Sequence, residues 1–504
     1  MKFAINFWEV KMKKMFKKSV SIVLCIAMVM CACCAGVWAD EAVETGKEPV
    51  RISNVINGDT ASSRGFCWYT KSNTATKVEV FNELGEAVTA TVTPADVFEW
   101  EGMFVHKATV SGLEAGKAYT YRVGDGEVWS ETGSFTTDNQ DDKVDFIAIA
   151  DVQAGNQENF DKGAAVLAKA FEYMPAADFV ANLGDFTDDS DNEEWDYYDN
   201  SFGAMNLNYT LAPISGNHDG LGVENWFNNM FNLDTTESVQ TSDGVNYSFD
   251  YGNVHVAVLN TNDILSISIP QLNWLKNDMN GTDKDWKIVF MHKSPYSLGK
   301  DAKWPDALYL QESLTRVLDS CNVDLVMSGH DHMYLRTKPL TGNKLNDSGV
   351  TYVLAGTAGA KRYEIRSFLA DYFLDTDFIG ALTVQKDGYG NYWNGTDWNS
   401  TKETNIGGCF NTVSIDGGTL TLKSYILGDE TQEATQIDEY TVTKTTGQNK
   451  ATFSGDNTTS ETEYNLGIVP SFFGLAAYTF TSWLPRFLAM VPELLYVFIT
   501  EDTF

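Results

Sequence analysis

Five short motifs in this chain hold side chains that could do chemistry together. Asp151-Val152-Gln153 comes first, then Gly184-Asp185-Phe186-Thr187-Asp188 and Gly216-Asn217-His218-Asp219; Met291-His292 and Gly329-His330-Asp331-His332 close the series. Four of the six histidines lie in these motifs. Asp151, Asp185, Asn217, His292, His330 and His332 together offer oxygen and imidazole nitrogen, a mixture suited to two transition-metal ions. Gln153 is a weaker additional donor, either to metal or to bound water. A lone His-x-His or Gly-Asn-His means little, and it is the ordered set of five that carries the inference.

The elements that must position these residues follow from the flanking pattern. Apolar runs at 146–150, 179–183, 211–214, 288–291 and 325–327 read as buried strands, and each stops at a motif. Helical stretches such as 159–174 and 309–321 lie between them. Strand, motif and helix repeated in this way predict an α/β layered sheet with its ligands at the carboxyl ends of strands. Strand-like runs return at 410–415 and 420–427. Upstream, residues 50–137 show short alternating runs broken by turn signals, the pattern of a β-sandwich. Within it, the segment from Leu113 to Tyr121 resembles the tyrosine corner of fibronectin type III domains, in which the hydroxyl bonds back to upstream backbone. Residues 136–143 read as a polar, acidic connection between the two parts.

The motif order resembles that of the calcineurin-like metallophosphoesterases. Gly329-His330-Asp331-His332-Met333-Tyr334-Leu335-Arg336 is similar to the G-H-x-H-x-Y-x-R segment of their purple acid phosphatase branch, and residues 107–137 resemble the small sandwich that precedes the catalytic domain there. The resemblance implies a multidomain chain. A fibronectin type III-like β-sandwich (40–138) would precede an α/β metallophosphoesterase domain of αββα-type layers (143–445). It also implies two divalent or trivalent ions (iron, zinc or manganese). By position, Asp151 and His332 resemble ligands of one ion, Asn217, His292 and His330 those of the other, and Asp185 the bridge. His218 would not bind metal but would give a proton to the leaving oxygen, with Asp188 or Asp219 orienting it. Tyr334 and Arg336 would support the metal loop or touch substrate.

The resemblance breaks at two positions. Purple acid phosphatases carry D-x-G and then G-D-x-x-Y, whose tyrosine binds ferric iron and gives the colour. Gln153 and Asp188 stand at those places here, so a colourless site is expected. Gln153 also replaces the histidine of the D-x-H motif of other metallophosphoesterases. Asp188 falls where the protein Ser/Thr phosphatases keep an aspartate paired with the histidine of G-N-H.

Composition narrows the class further. A formal charge of −33, from 36 Lys and Arg against 69 Asp and Glu, argues against binding a nucleic acid duplex, which needs a surplus of cations. It also means that a phosphate-ester substrate needs local positive charge to enter. Lysines 11, 13, 14, 17 and 18 precede an apolar run at 19–36, and Val37-Trp38-Ala39 suits signal peptidase, so residues 1–39 read as a signal peptide and the chain as exported. Export would leave Cys67, Cys321 and Cys409, a sparse and odd set that reads as buried small hydrophobes and not as a disulfide framework. Residues 446–463 read as a flexible linker, and 464–504 as a hydrophobic tail able to associate with a membrane. The function expected is that of an exported metal-dependent phosphoric-ester hydrolase, first of all a phosphomonoesterase. A phosphodiesterase or nucleotide hydrolase on the same centre is the alternative. A cell-surface binding protein with a residual metal site is a third reading. Loops at 219–249 and 371–398 would set the selectivity.

Overall fold

The computed structural model describes residues 46–446, apart from 220–225, 240–244, 263–266, 300–304, 364–375 and shorter gaps between 387 and 430. The signal-peptide, linker and tail readings (1–39, 446–463, 464–504) lie outside these residues, except for Thr446 itself. So do parts of both loops expected to set selectivity. Among the described residues no helix is long and apolar enough to cross a membrane.

Two large sheets face each other. The first contains the parallel strands Lys143–Ile149, Phe179–Asn182 and Leu211–Pro213, with Ile406–Asp416, Thr419–Gly428 and Ala434–Thr443 added antiparallel on one side. The second is built on Val254–Val258, Trp286–Phe290, Leu325–Ser328 and Thr351–Ala355, all parallel. Alternation along each strand explains the layers. Val144, Phe146 and Ala148 point into the core between the sheets, where they meet Val256, Ile288, Phe290 and Met327. Ile147 and Ile149 point the other way, against the helices Gln157–Tyr173 and Asn192–Asn206. On the far face of the second sheet, Val289 and Val326 pack with the helices Ile269–Gly281 and Pro305–Ser320. Two helical layers thus enclose two sheets, the αββα arrangement expected.

The helices start where side chains satisfy their free N–H groups. Asn156 caps the first by accepting from the Asn159 amide, and Asp191 caps the second by accepting from Glu194. Cys67, Cys321 and Cys409 are free thiols, all buried.

The N-terminal sandwich has a core of its own, formed by Phe66, Trp68, Val80, Val110, Tyr121 and Phe135. The Tyr119 hydroxyl accepts from the Glu114 amide at 3.0 Å, closing the corner seen in the sequence. The local pattern does not reveal that the sandwich and catalytic domain share one sheet. Strand Val50–Val55 pairs parallel to Leu211–Pro213 at Val55 and Leu211, so the first sheet continues into Ser63–Thr70 and Met103–Ser111. The connection at 136–143 is tied down as well. The Asp138 carboxylate accepts from Thr60 and from the Gly252 amide.

Candidate metal centre

The motif loops leave their strands through backbone conformations that residues with a Cβ avoid. Asp151, Gln153, Asp185 and His330 have φ of 54°, 34°, 54° and 76°, and a left-handed backbone costs roughly 1–2 kcal/mol per residue. Bonds between motifs hold the loops in place. The Asp151 amide donates to the Gly184 carbonyl, the Gln153 amide to Asp185 and the Gly329 amide to His292, each at 2.9 Å. Glycine is required where these loops cross: a Cβ on Gly216 would lie 2.1 Å from both the amide nitrogen and Oδ1 of Asp185.

Five candidates converge from both sheets into two groups. Asp185, His292 and His330 form one, and Asp151, Asp185 and His332 the other, with the ligand atoms of each group within 4.8 Å of one another. Asp185 belongs to both. Its Oδ2 lies 3.2 Å from His292 Nε2, and Asn217 Oδ1 lies 3.1 Å from the same nitrogen. The rings are aimed from behind. His292 Nδ1 contacts the Leu183 carbonyl at 2.9 Å and His332 Nδ1 the Lys361 carbonyl at 2.6 Å, leaving Nε2 forward in both. Asp151 Oδ1 accepts from the His330 amide, whereas its buried Oδ2 has no hydrogen-bond partner. Gln153 Oε1 is likewise buried without a partner. Unsatisfied buried oxygens beside three imidazoles and a shared carboxylate fit a pair of metal ions.

Protonation in this cluster follows from burial. Burial lowers His332 to about 3 and puts His330 well below its usual range, so both rings are neutral, the form that binds metal. Burial opposes a charge on His292 too, but the carboxylates of Asp185 and Asp151 outweigh it and raise the ring to about 9. Asp185 is the counterpart. Burial raises it, and the charge and hydrogen bond of His292 more than reverse this, holding it below the usual carboxylate range. Asp151 is pushed well above that range, first by burial and then by Asp185.

The carboxylates expected to orient His218 separate into two roles. Asp219 does not orient the ring. Its oxygens accept from the backbone amides of Asp185 (2.8 Å), Phe186 (2.7 Å) and Gly216 (2.7 Å), so it fixes the loops under the site. Burial and Asp185 raise it to about 7 against the pull of these donors. Asp188 is the near partner: its main-chain carbonyl contacts His218 Nδ1, and its Oδ1 lies 3.7 Å from the same atom. Gln153 joins the two. Its Nε2 is 2.8 Å from Asp188 Oδ1 and 2.8 Å from His218 Nε2. The carboxylate requires the amide nitrogen on that side, so His218 Nε2 accepts and Nδ1 carries the proton.

Further residues hold the site in place. Glu194 Oε2 accepts from the amides of Asp188, Asp189 and Ser190, clamping the loop that carries Asp188. Thr357 Oγ1 and the Gly359 amide both donate to the Asp151 carbonyl, at 2.6 and 3.2 Å, and Tyr363 stacks on His332 at 4.3 Å. The N-terminal sandwich reaches the site indirectly. Lys107 donates to the carbonyls of Asn228 and Phe231, and Ser53 to that of Met230. This segment sets Phe231 against Phe186, the neighbour of Asp185, with ring centroids 5.3 Å apart. Tyr334 and Arg336 bond to Asp438, the tyrosine at 2.7 Å and Arg336 Nε at 2.6 Å, so their role is structural.

The model of the calcineurin-like phosphoesterase family matches residues 144–334, and that of the purple acid phosphatase N-terminal domain matches residues 49–137. The chain thus carries a calcineurin-like phosphoesterase domain preceded by a purple acid phosphatase N-terminal domain. Purple acid phosphatase 15 of Arabidopsis thaliana is 28% identical to this chain over 173 residues, 33% of the chain and 32% of that protein. Purple acid phosphatase 22 of the same plant is 24% identical over 323 residues, 60% of the chain and 70% of that protein. The chain thus spans about a third of the first relative's length and just over two thirds of the second's. A solved purple acid phosphatase from yellow lupin (Lupinus luteus) seeds shares the fold. The TM-score is 0.59 at 16% identity, covering 79% of this chain and 75% of that one.

Proposed function

We propose that this protein is a phosphoric-ester hydrolase, a phosphomonoesterase that uses two bound transition-metal ions, and that it acts outside the cytoplasm. The observation that carries the hydrolase reading is the single carboxylate, Asp185, common to two ligand groups. Asp151 and His332 would hold one ion, and Asn217, His292 and His330 the other. When bound, the ions supply water activation near neutral pH and polarise the phosphoryl oxygens. The lysine-rich start followed by an apolar run supports export.

The remaining groups move protons and hold geometry. His218 sits at the edge of the ligand cluster, its ring fixed through Nδ1 on the Asp188 carbonyl. To protonate a leaving oxygen from Nε2, the ring must first take up a proton there and Gln153 must give up its bond. The Nδ1 contact then keeps the ring aimed while the amide moves. Asp219 and Glu194 hold the two loops rigid, so that little reorganisation accompanies attack.

Metal analysis joined to kinetics tests the reading. The protein is loaded in turn with zinc, iron and manganese, and rates are measured on an aryl monoester, a diester and a nucleotide panel. About two ions per chain, with monoester turnover that a chelator abolishes, are expected. A diester or nucleotide preferred over the monoester moves the function to the alternative. Well-folded, loaded protein with no turnover on any of them removes the hydrolase reading.

A further inference from the structure

We propose that Lys361 binds the phosphoryl group of the substrate and makes the site favour dianionic monoesters over monoanionic diesters; this rests on the phosphatase reading above. The segment that carries Lys361 is built onto the metal centre from both sides. Before it, the Ala358 amide donates to the Ala150 carbonyl at 2.7 Å, and Thr357 and Gly359 bind the Asp151 carbonyl. At Lys361 itself the carbonyl receives His332 Nδ1, and after it Tyr363 stacks on the His332 ring. The backbone of Lys361 is therefore held against a metal-ligand candidate, and only its side chain is free to adjust.

That side chain reaches to the His218 end of the site. Nζ lies 3.6 Å from Asp188 Oδ1, the same oxygen that accepts from Gln153 and lies near His218 Nδ1. The pair is open to water, with side-chain exposures of 44% for Lys361 and 39% for Asp188. An exposed pair at this distance is weak and exchangeable. A phosphoryl oxygen can replace the carboxylate as the partner of the ammonium, and the four-carbon stem allows the shift. The need is set by the whole chain. With a formal charge of −33, the general field repels a dianion, so a cation at the mouth has most to contribute to the most highly charged ester. A diester carries one charge fewer on phosphorus and gains less from the same ammonium.

Lys361→Met and Lys361→Arg in the metal-loaded, full-length protein test this, with inorganic phosphate as the binding probe in calorimetry. Lys361→Met is expected to weaken phosphate binding roughly tenfold or more, the loss of one charge-assisted contact, while Lys361→Arg restores most of it. Metal content stays unchanged in both. The kcat/KM for an aryl monoester falls in parallel, mainly through KM, while that for the matching diester falls less. Asp188→Asn, which removes the competing carboxylate, tightens phosphate in the parent but not in the Lys361→Met background. Unchanged phosphate affinity in Lys361→Met overturns the proposal, as does an equal loss on monoester and diester. If the parent hydrolyses neither ester, the phosphatase reading has failed, and the phosphate titration still judges Lys361 separately.

Discussion

The metal centre and the two histidines outside the motifs treat their polar atoms in opposite ways. At the centre, Asp151 Oδ2 and Gln153 Oε1 are buried without partners. Four candidate ligands there take a left-handed backbone. In the scaffold, the two histidines outside the motifs are both fully engaged. His106 lies stacked on Trp68 with ring centroids 5.3 Å apart, and its two nitrogens reach Thr70 Oγ1 at 2.8 Å and Thr76 Oγ1 at 3.0 Å. His255 is held between Asp250 at 2.7 Å and Asp278 at 2.8 Å. An unsatisfied buried oxygen and a strained φ both cost stability; each occurs singly in the scaffold, as at Ser424 and Asn322, but among the described residues Asp151 and Gln153 combine the two, and that coincidence marks the site. Residue type does not make that distinction, since His appears on both sides of it.

Breaking the centre should therefore cost function, and breaking the scaffold should cost stability. Asp185→Asn removes the carboxylate common to both ligand groups. Metal loading and turnover should both be lost, the latter beyond about a thousandfold, as read by metal analysis and kinetics on the same sample. Full activity in that variant would sink the two-ion reading. His218→Ala should leave the metals bound and slow turnover about 100- to 10,000-fold, most severely for poor leaving groups. An equal loss across leaving groups would turn His218 into a substrate-positioning residue. Lys107→Met sharpens the contrast from the scaffold side. It leaves the carbonyls of Asn228 and Phe231 without their donor and should lower stability by about 1–3 kcal/mol. Turnover per metal-loaded, folded molecule should change far less than in His218→Ala.

The two regions also differ in how far they could be read from sequence. The ligand candidates were legible because each follows an apolar strand run, and a strand end is a local event with a fixed consequence for what comes next. The αββα layers were legible for the same reason, from strands alternating with helices. What decides the finer roles is contact between distant segments. Asp219 lies in the same motif as His218, yet its carboxylate accepts from the amides of Asp185, Phe186 and Gly216 and not from the ring, a role that only the contact between motifs reveals. Gln153 reads as an extra, weak ligand or a donor to bound water, and only the fold brings its amide onto His218 and Asp188. Lys361 sits in a segment with no motif of its own, far from Asp188 in sequence. The pairing of Val55 with Leu211 that fuses the sandwich to the catalytic sheet leaves no mark on the period of either strand.

The smallest effect expected is electrostatic and belongs to the scaffold. Burial opposes a charge on His255, but the hydrogen bonds and charges of Asp250 and Asp278 outweigh it and raise the ring to about 9, from an ordinary value near 6.5. A pKa raised by folding means that the folded state binds the proton more tightly than the unfolded one does. The resulting stabilisation is complete below about pH 6.5, declines above it and is gone beyond about pH 9. Asp250 is half exposed, so solvent screening limits the gain to about 1–2 kcal/mol. His255→Gln should thus lower unfolding stability at pH 6 by about that amount and make little difference from this source at pH 9.5. Denaturant titrations of both proteins at the two pH values measure the gap directly. A gap that is the same at both would mean that packing, and not the charged pairing, is what His255 contributes, and the scaffold histidines would then be neutral filler alike.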